Sequence, residues 1–303
     1  MAFDLFVKSF TYHIENLGRQ LLEPSWTNFV YLLIGLSLFF WFLEIVIPWC
    51  KQQSRVRKDF WLDGFYMFFN LFIFPILGFA AMADLTGFFY KSVLGSAGIT
   101  NTVILEVRSW PYLAQLLLLF LVRDFAQWNV HQLLHRVPWL WEFHKVHHSV
   151  EQMGFAAHLR YHWMENIVYR LFESLVLSLI GFGVRDFFIV YLFTLAVGHF
   201  NHSNIKIPLG PLRFIFNNPQ MHIWHHAKHT GFPHGVNFGL TLSLWDYLFG
   251  TAYVPRDGRD EPLGFDGMEE HPTRLLPQLL HPLPALFSRN RAQDPPADPA
   301  GKT

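Results

Sequence analysis

The chain has 303 residues, 51 % hydrophobic, 18 % aromatic and 15 % charged, with 33 Phe and 11 Trp. That is a membrane protein's balance, and a formal net charge of zero with no long basic run outside one loop gives a nucleic-acid partner no footing. A single cysteine, Cys50, excludes an internal disulfide and a thiolate-bound iron–sulfur cluster, so electrons for any redox chemistry come from elsewhere.

Residues 1–26 carry Asp4, Glu15 and Glu23 and lack a continuous apolar core, which argues against a cleavable signal peptide and for an interfacial amphipathic helix. Thr27 to Trp49 is uncharged except for Glu44 and long enough for a hydrocarbon core that needs about 20 helical residues. A second apolar run from Gly64 to Leu85 completes a region of two N-terminal spans over 27–109. A third, Trp110 to Val122, continues as a helix through Arg123 and Asp124. Shorter runs at Ile167–Phe182 and Phe187–Phe200 either span together or form a re-entrant pair. The predicted fold is all-α: a polytopic membrane protein of about four to five membrane helices. It carries a cytoplasmic-facing, histidine-rich dimetal domain at 110–253, a cytoplasmic segment at 254–289 and a polar, Pro-rich disordered tail at 290–303.

Lys51, Arg55, Arg57 and Lys58 lie between the first two spans, and the positive-inside rule places them in the cytoplasm. The third helix then returns to that side at His131 and the fifth at His202. Three histidine clusters thereby share one membrane face: His131 with His135, His144 with His147 and His148, and His222 with His225 and His226. Residues three and four apart lie on one helix face, so each cluster aims its rings one way. A His-x-x-His-His run is expected by chance roughly 0.05 times in a chain of this histidine content, and here there are two. Imidazole suits iron, zinc, copper or nickel, and eight to ten histidines suit two metals with four or five ligands each. His199 and His202, three apart at the end of the fifth run, are further candidates.

No His-Glu-x-x-His, Gly-x-Ser-x-Gly or phosphate loop is present. An imidazole-rich dimetal site in a membrane suits iron, activation of dioxygen and attack on an unactivated C–H bond of a lipid arriving from the bilayer. A histidine-rich divalent-metal-binding membrane protein or transporter is the alternative, but transport calls for polar residues near the middle of the spans. Haem needs only one or two axial ligands.

The stretch Asp124-Phe-Ala-Gln-Trp128-Asn-Val-His131-Gln-Leu-Leu-His135-Arg136-Val-Pro138-Trp-Leu-Trp141-Glu-Phe-His144-Lys-Val-His147-His148-Ser149 resembles the core of the fatty acid hydroxylase superfamily, also called the sterol desaturase family. Arg160-Tyr-His162-Trp-Met-Glu165, His202-Ser-Asn204, Asn218-Pro-Gln-Met-His222-Ile-Trp-His225-His226, Asn237-Phe-Gly239 and Trp245-Asp246 resemble its downstream blocks, and Leu209 to Thr251 resembles its alkylglycerol monooxygenase branch. The resemblance implies a membrane-embedded oxygenase with two non-haem iron ions, acting on a lipid with dioxygen and two external electrons. Its ligands would be His131, His135, His144, His147, His148, His222, His225 and His226, with His202 matching a further family histidine. Gln132 stands where many members have Arg.

Asp124, His162 and Asn218 are the candidates for supporting catalysis. Asp124, two turns before His131, either accepts a ligand's ring N–H or, as a helix-end group, pairs with Arg123 or snorkels to the interface. His158 and His162, one turn apart, fit roles behind the ligands or as a substrate gate, with metal ligation as the alternative. Asn218 and Asn237 either orient ligands or cap turns. Arg170 and Glu173 are expected to pair. His271-Pro272 is followed by Thr273, not by the Gly-Gly of a fused cytochrome b5, so the electron donor is a separate partner such as a reductase with cytochrome b5 or ferredoxin. Hydroxylation and desaturation begin with the same hydrogen abstraction, and the sequence does not divide them.

Overall fold

The computed structural model describes residues 2–25, 28–75, 95, 96, 98, 103–180, 182, 184–281 and 283. The predicted tail at 290–303 and the end of the second predicted span lie outside them. Helices make up the described residues, which contain isolated β-bridges but no strand.

The N-terminal half supplies α1 (Ala2–Leu22), α2 (Phe29–Val46) and α3 (Phe60–Phe68), the last running into a π-helical turn at Phe69–Ile73. α2 starts where Asn28 Oδ1 accepts from the amides of Val30 at 3.0 Å and Tyr31 at 3.4 Å, satisfying two of its orphan donors. Its 18 residues rise about 27 Å, close to a hydrocarbon core. Ile34, Leu38 and Phe42 on one face are about half exposed, whereas Val30, Leu33, Ser37 and Phe40 face inward. Among the described residues α2 is the helix long and apolar enough to cross a membrane, and Phe60–Ile73 and Phe187–His202 are shorter apolar helical stretches.

The histidine-bearing half consists of α4 (Tyr112–Arg136), α5 (Pro138–His148), α6 (Trp163–Ser178), α7 (Val184–His202), α8 (Pro219–His226) and α9 (Leu244–Phe249). α4 ends because Pro138 disfavours helical geometry at Val137, which is extended, and the same proline opens α5 at its first turn. This sharp turn folds His131 and His135 against the histidines of α5. α4 packs on α5, α6 and α7, and α7 on α8. Beneath the site, Val150, Met153, Ala157, Ile223, Trp224 and Ala227 form one core cluster, joining the loop after α5 to α8. The C-terminal segment returns to the N-terminal half through α10 (Leu275–Leu280), where Gln278 Oε1 accepts from the buried Tyr66 hydroxyl at 3.1 Å.

Candidate metal centre

Nine buried or nearly buried histidines converge in two groups whose ring nitrogens lie within 4.8 Å of one another: His131, His135, His144, His148 and His225, and His147, His202, His222 and His226. Each group draws on α5 and α8, the first adding α4 and the second α7. Of the ten candidate ligands only His199 falls outside both. Its Nε2 faces Ser37 Oγ at 3.3 Å and its Nδ1 faces His158 Nδ1 at 3.0 Å.

One nitrogen of each of five rings is engaged by an oxygen. Nδ1 of His131 meets Phe238 O at 2.8 Å, that of His202 Gly198 O at 2.8 Å, and that of His225 Val236 O at 2.8 Å. His147 Nδ1 meets Arg160 O at 3.1 Å, and His144 Nδ1 meets the Glu165 carboxylate at 2.8 Å. A carbonyl only accepts, so these Nδ1 atoms carry the proton and Nε2 presents a lone pair. The Nε2 atoms of His202 and His147 nevertheless sit 3.3 Å apart, and His202 and His222 Nε2 sit 2.9 Å apart. His148 and His135 Nε2 lie at 3.2 Å, as do those of His226 and His222, while buried Nε2 of His144 and His225 has no partner. Nδ1 of both His147 and His202 is held by a carbonyl, so their two Nε2 lone pairs face each other at 3.3 Å and repel unless a cation lies between them. Nitrogens on a metal at a bond length of about 2.0–2.1 Å stand about 3.0–3.4 Å apart, so the residues fit a pair of metal ions.

Burial holds the His147 imidazole down at about 3, and burial followed by neighbouring imidazoles holds His144, His148, His222, His225 and His226 well below the ordinary range. The rings are therefore neutral at physiological pH, the form that binds metal. Both groups face one cavity of about 340 Å³, lined by His131, His144, His147, His202 and His222.

The supporting residues differ from expectation in instructive ways. Asp124 neither reaches His131 nor pairs with Arg123. Seven residues along a helix is a rise of about 10 Å, too far for a carboxylate to touch the ring. It accepts instead from the amides of Thr241 at 3.1 Å and Leu242 at 3.2 Å and from Trp245 Nε1 at 2.9 Å. Asp246 holds the preceding turn, accepting from the amides of Phe238 and Gly239, each at 2.8 Å, and from Trp128 Nε1 at 3.0 Å. The two aspartates thus pin to α4 the loop whose Phe238 carbonyl orients His131. Arg170 and Glu173 are expected to pair, and the partners that Glu173 shows are Arg123 at 3.1 Å and Gln127 at 2.6 Å, both on α4.

His162 has both nitrogens in structural bonds: Nδ1 accepts from the Met164 amide at 3.1 Å and Nε2 donates to Leu279 O at 2.7 Å, and burial holds it at about 4. His158 lines the cavity, its ring resting where a side chain on Gly198 of α7 would stand. Asn218 caps α8 by accepting from the Met221 amide at 3.0 Å, and left-handed Asn237 bridges Met221 O at 2.9 Å and Tyr253 O at 2.8 Å. Glu165 and Arg160, which orient His144 and His147, stand in a motif the sequence singles out, but nothing local to it points to those partners.

The family model for fatty acid hydroxylase matches residues 116–251, the segment that contains all nine histidines. An ornithine lipid hydroxylase of Rhizobium tropici is 30 % identical over 158 residues, covering 52 % of this chain and 47 % of the relative. An alkylglycerol monooxygenase of Danio rerio is 31 % identical over 241 residues, covering 76 % and 49 % respectively. A very-long-chain aldehyde decarbonylase of Oryza sativa subsp. japonica is 30 % identical over 142 residues, covering 46 % of each chain. The chain spans about half the length of these relatives. No solved structure matches it.

Proposed function

We propose that this chain, whose residues 116–251 are a fatty acid hydroxylase domain, is an integral-membrane non-haem di-iron oxygenase that oxidises a C–H bond of a lipid. The observation that carries the reading is the convergence of nine histidines in two groups, five of them lining one cavity. The relatives' names support lipid oxidation, since they are a lipid hydroxylase, an alkylglycerol monooxygenase and an aldehyde decarbonylase. Bound iron would supply the reduction of dioxygen with two electrons from a separate donor and the oxidising power to attack the C–H bond.

The chain's own part is positional. Carbonyls of Gly198, Val236 and Phe238 and the Glu165 carboxylate hold the ring tautomers, so that the inward nitrogens keep their lone pairs. Leu71, Leu159, Leu195 and Leu240 wall the cavity and keep bulk water from the reacting carbon. α2, with its exposed Ile34, Leu38 and Phe42, anchors the chain in the bilayer, and Lys51, Arg55, Arg57 and Lys58 set the histidine side to the cytoplasm. The histidines stand at helix ends rather than along a transmembrane path, which favours an oxygenase over a metal transporter.

The test is metal content and dioxygen consumption of detergent-purified protein given ferrous iron, a reducing system and extracted lipids. Roughly two irons per chain with lipid-dependent uptake is the expected result. Tight zinc, or no metal, with no uptake under any lipid overturns the reading.

A further inference from the structure

The cavity continues from the histidines along three helices, each of which carries the same pair of levels. On α4, Arg123 precedes His131 by eight residues; on α7, Thr194 precedes His202 by eight; on α6, Glu173 follows Glu165 by eight. Eight helical residues rise about 12 Å. Arg123 ties one level together, donating to Thr194 Oγ1 at 2.8 Å and Glu173 Oε1 at 3.1 Å. The other level holds His131, His202 and the Glu165–His144 pair. All these residues line the one cavity, so it has a histidine end and an ionic end about 12 Å apart.

An ion pair serving only to join helices would lie in their interface, away from open space. This one forms the cavity wall, where burial of the charges costs several kcal/mol per ion unless hydrogen bonds repay it. Arg123 is 4 % exposed, and its buried Nε has no partner. Gln127, one turn nearer the histidines, is buried beside it and donates to the same Glu173 oxygen. A buried donor left unsatisfied at the wall of a cavity is a standing demand for an acceptor.

We propose that the substrate is an amphiphile whose oxygen-bearing end group, a carboxylate or a carbonyl, is received by Arg123 and Gln127 and fixes how far along the chain the oxidised carbon lies. This rests on the oxygenase reading for the carbon's fate, but not for the end group's seat. A wholly apolar hydrocarbon would leave the Arg123 end unanswered.

The test uses the full-length, iron-loaded protein in detergent, without reductant, and three radiolabelled probes of equal chain length: an alkane, the fatty acid and its methyl ester. Equilibrium dialysis is expected to show the acid and ester bound at least about tenfold more tightly than the alkane. Arg123→Gln and Gln127→Leu should each remove most of that preference with iron content unchanged. Acid bound above ester identifies a charged end group, and equal binding a carbonyl acceptor. Equal binding of all three probes by the unaltered protein overturns the proposal, as does a preference that survives in both variants. Should Arg123→Gln fail to fold, the unaltered protein and Gln127→Leu decide. Because binding is read without turnover, absence of lipid-dependent oxygen uptake would count against the oxygenase reading alone.

Discussion

Glu165 is the one carboxylate that meets a ring nitrogen of the histidine groups among the described residues, and its effect is on the far side of the ring. A carboxylate behind an imidazole raises its basicity and locks its orientation, an effect typically worth about 10–100-fold in metal affinity. Glu165→Leu should therefore weaken iron binding by about that factor in a metal titration, with Glu165→Gln recovering part of it because the amide oxygen still accepts. Unchanged affinity in Glu165→Leu would remove the carboxylate from the site's support. His147→Ala and His225→Ala probe the two groups separately. Each should abolish oxygen uptake and lower iron content while membrane insertion stays intact, and full activity in either would sink its assignment as a ligand. The histidines were legible because helix spacing is local. Glu165 was not, because it lies 21 residues from His144 and only the folded turn between α5 and α6 joins them.

At the level of elements, the loop at 238–242 decides where the α4 histidines point. Asp124 and Asp246 clamp it from below, and a methyl group on Gly239 would run into the Leu242 carbonyl. Gly239→Ala should destabilise the protein by about 1–3 kcal/mol, seen as a lower unfolding temperature. Because the Phe238 carbonyl moves with the loop, iron content should fall as well, and wild-type values for both would show the loop to be dispensable. The elements themselves were readable in advance: the apolar run from Thr27 to Trp49 holds α2, and the run from Trp110 that continues through Arg123 and Asp124 to the first histidines holds α4. Their partners were not. Local spacing offers Asp124 to His131 or to Arg123, yet its partners are 117, 118 and 121 residues away. Spacing offers Glu173 to Arg170, whereas Arg123 and Gln127 reach it from α4. His199 shares the spacing of His202 but stands about 4.5 Å lower along α7, enough to put it on Ser37 and His158 instead. Periodicity gives a face, and depth along the helix comes only with the packing of its neighbours.

For the molecule as a whole, the histidines couple metal, protons and stability. Two groups outside the long apolar helices carry the effect: His147 in the second histidine group, and His271 in the C-terminal segment, each held at about 3 chiefly by burial. An unfolded imidazole takes its proton near about 6.5. Between those values the unfolded chain binds more protons than the folded one, so stability rises with pH across the window and is lost as pH falls from about 6.5 toward about 3. Metal-free protein should accordingly unfold at a lower temperature at about pH 5 than at about pH 7.5. Iron bound through His147 keeps that ring unprotonated in the folded protein, so the loaded protein should unfold at a higher temperature at about pH 7.5, decline at least as steeply as pH falls, and release its iron at the lower end. Differential scanning calorimetry of both forms across that range, with iron measured in the filtrate, checks both parts. A flat unfolding temperature in the metal-free protein would mean that these rings are not buried neutral, and an unfolding temperature that iron does not raise at about pH 7.5 would mean that the metal does not sit on them.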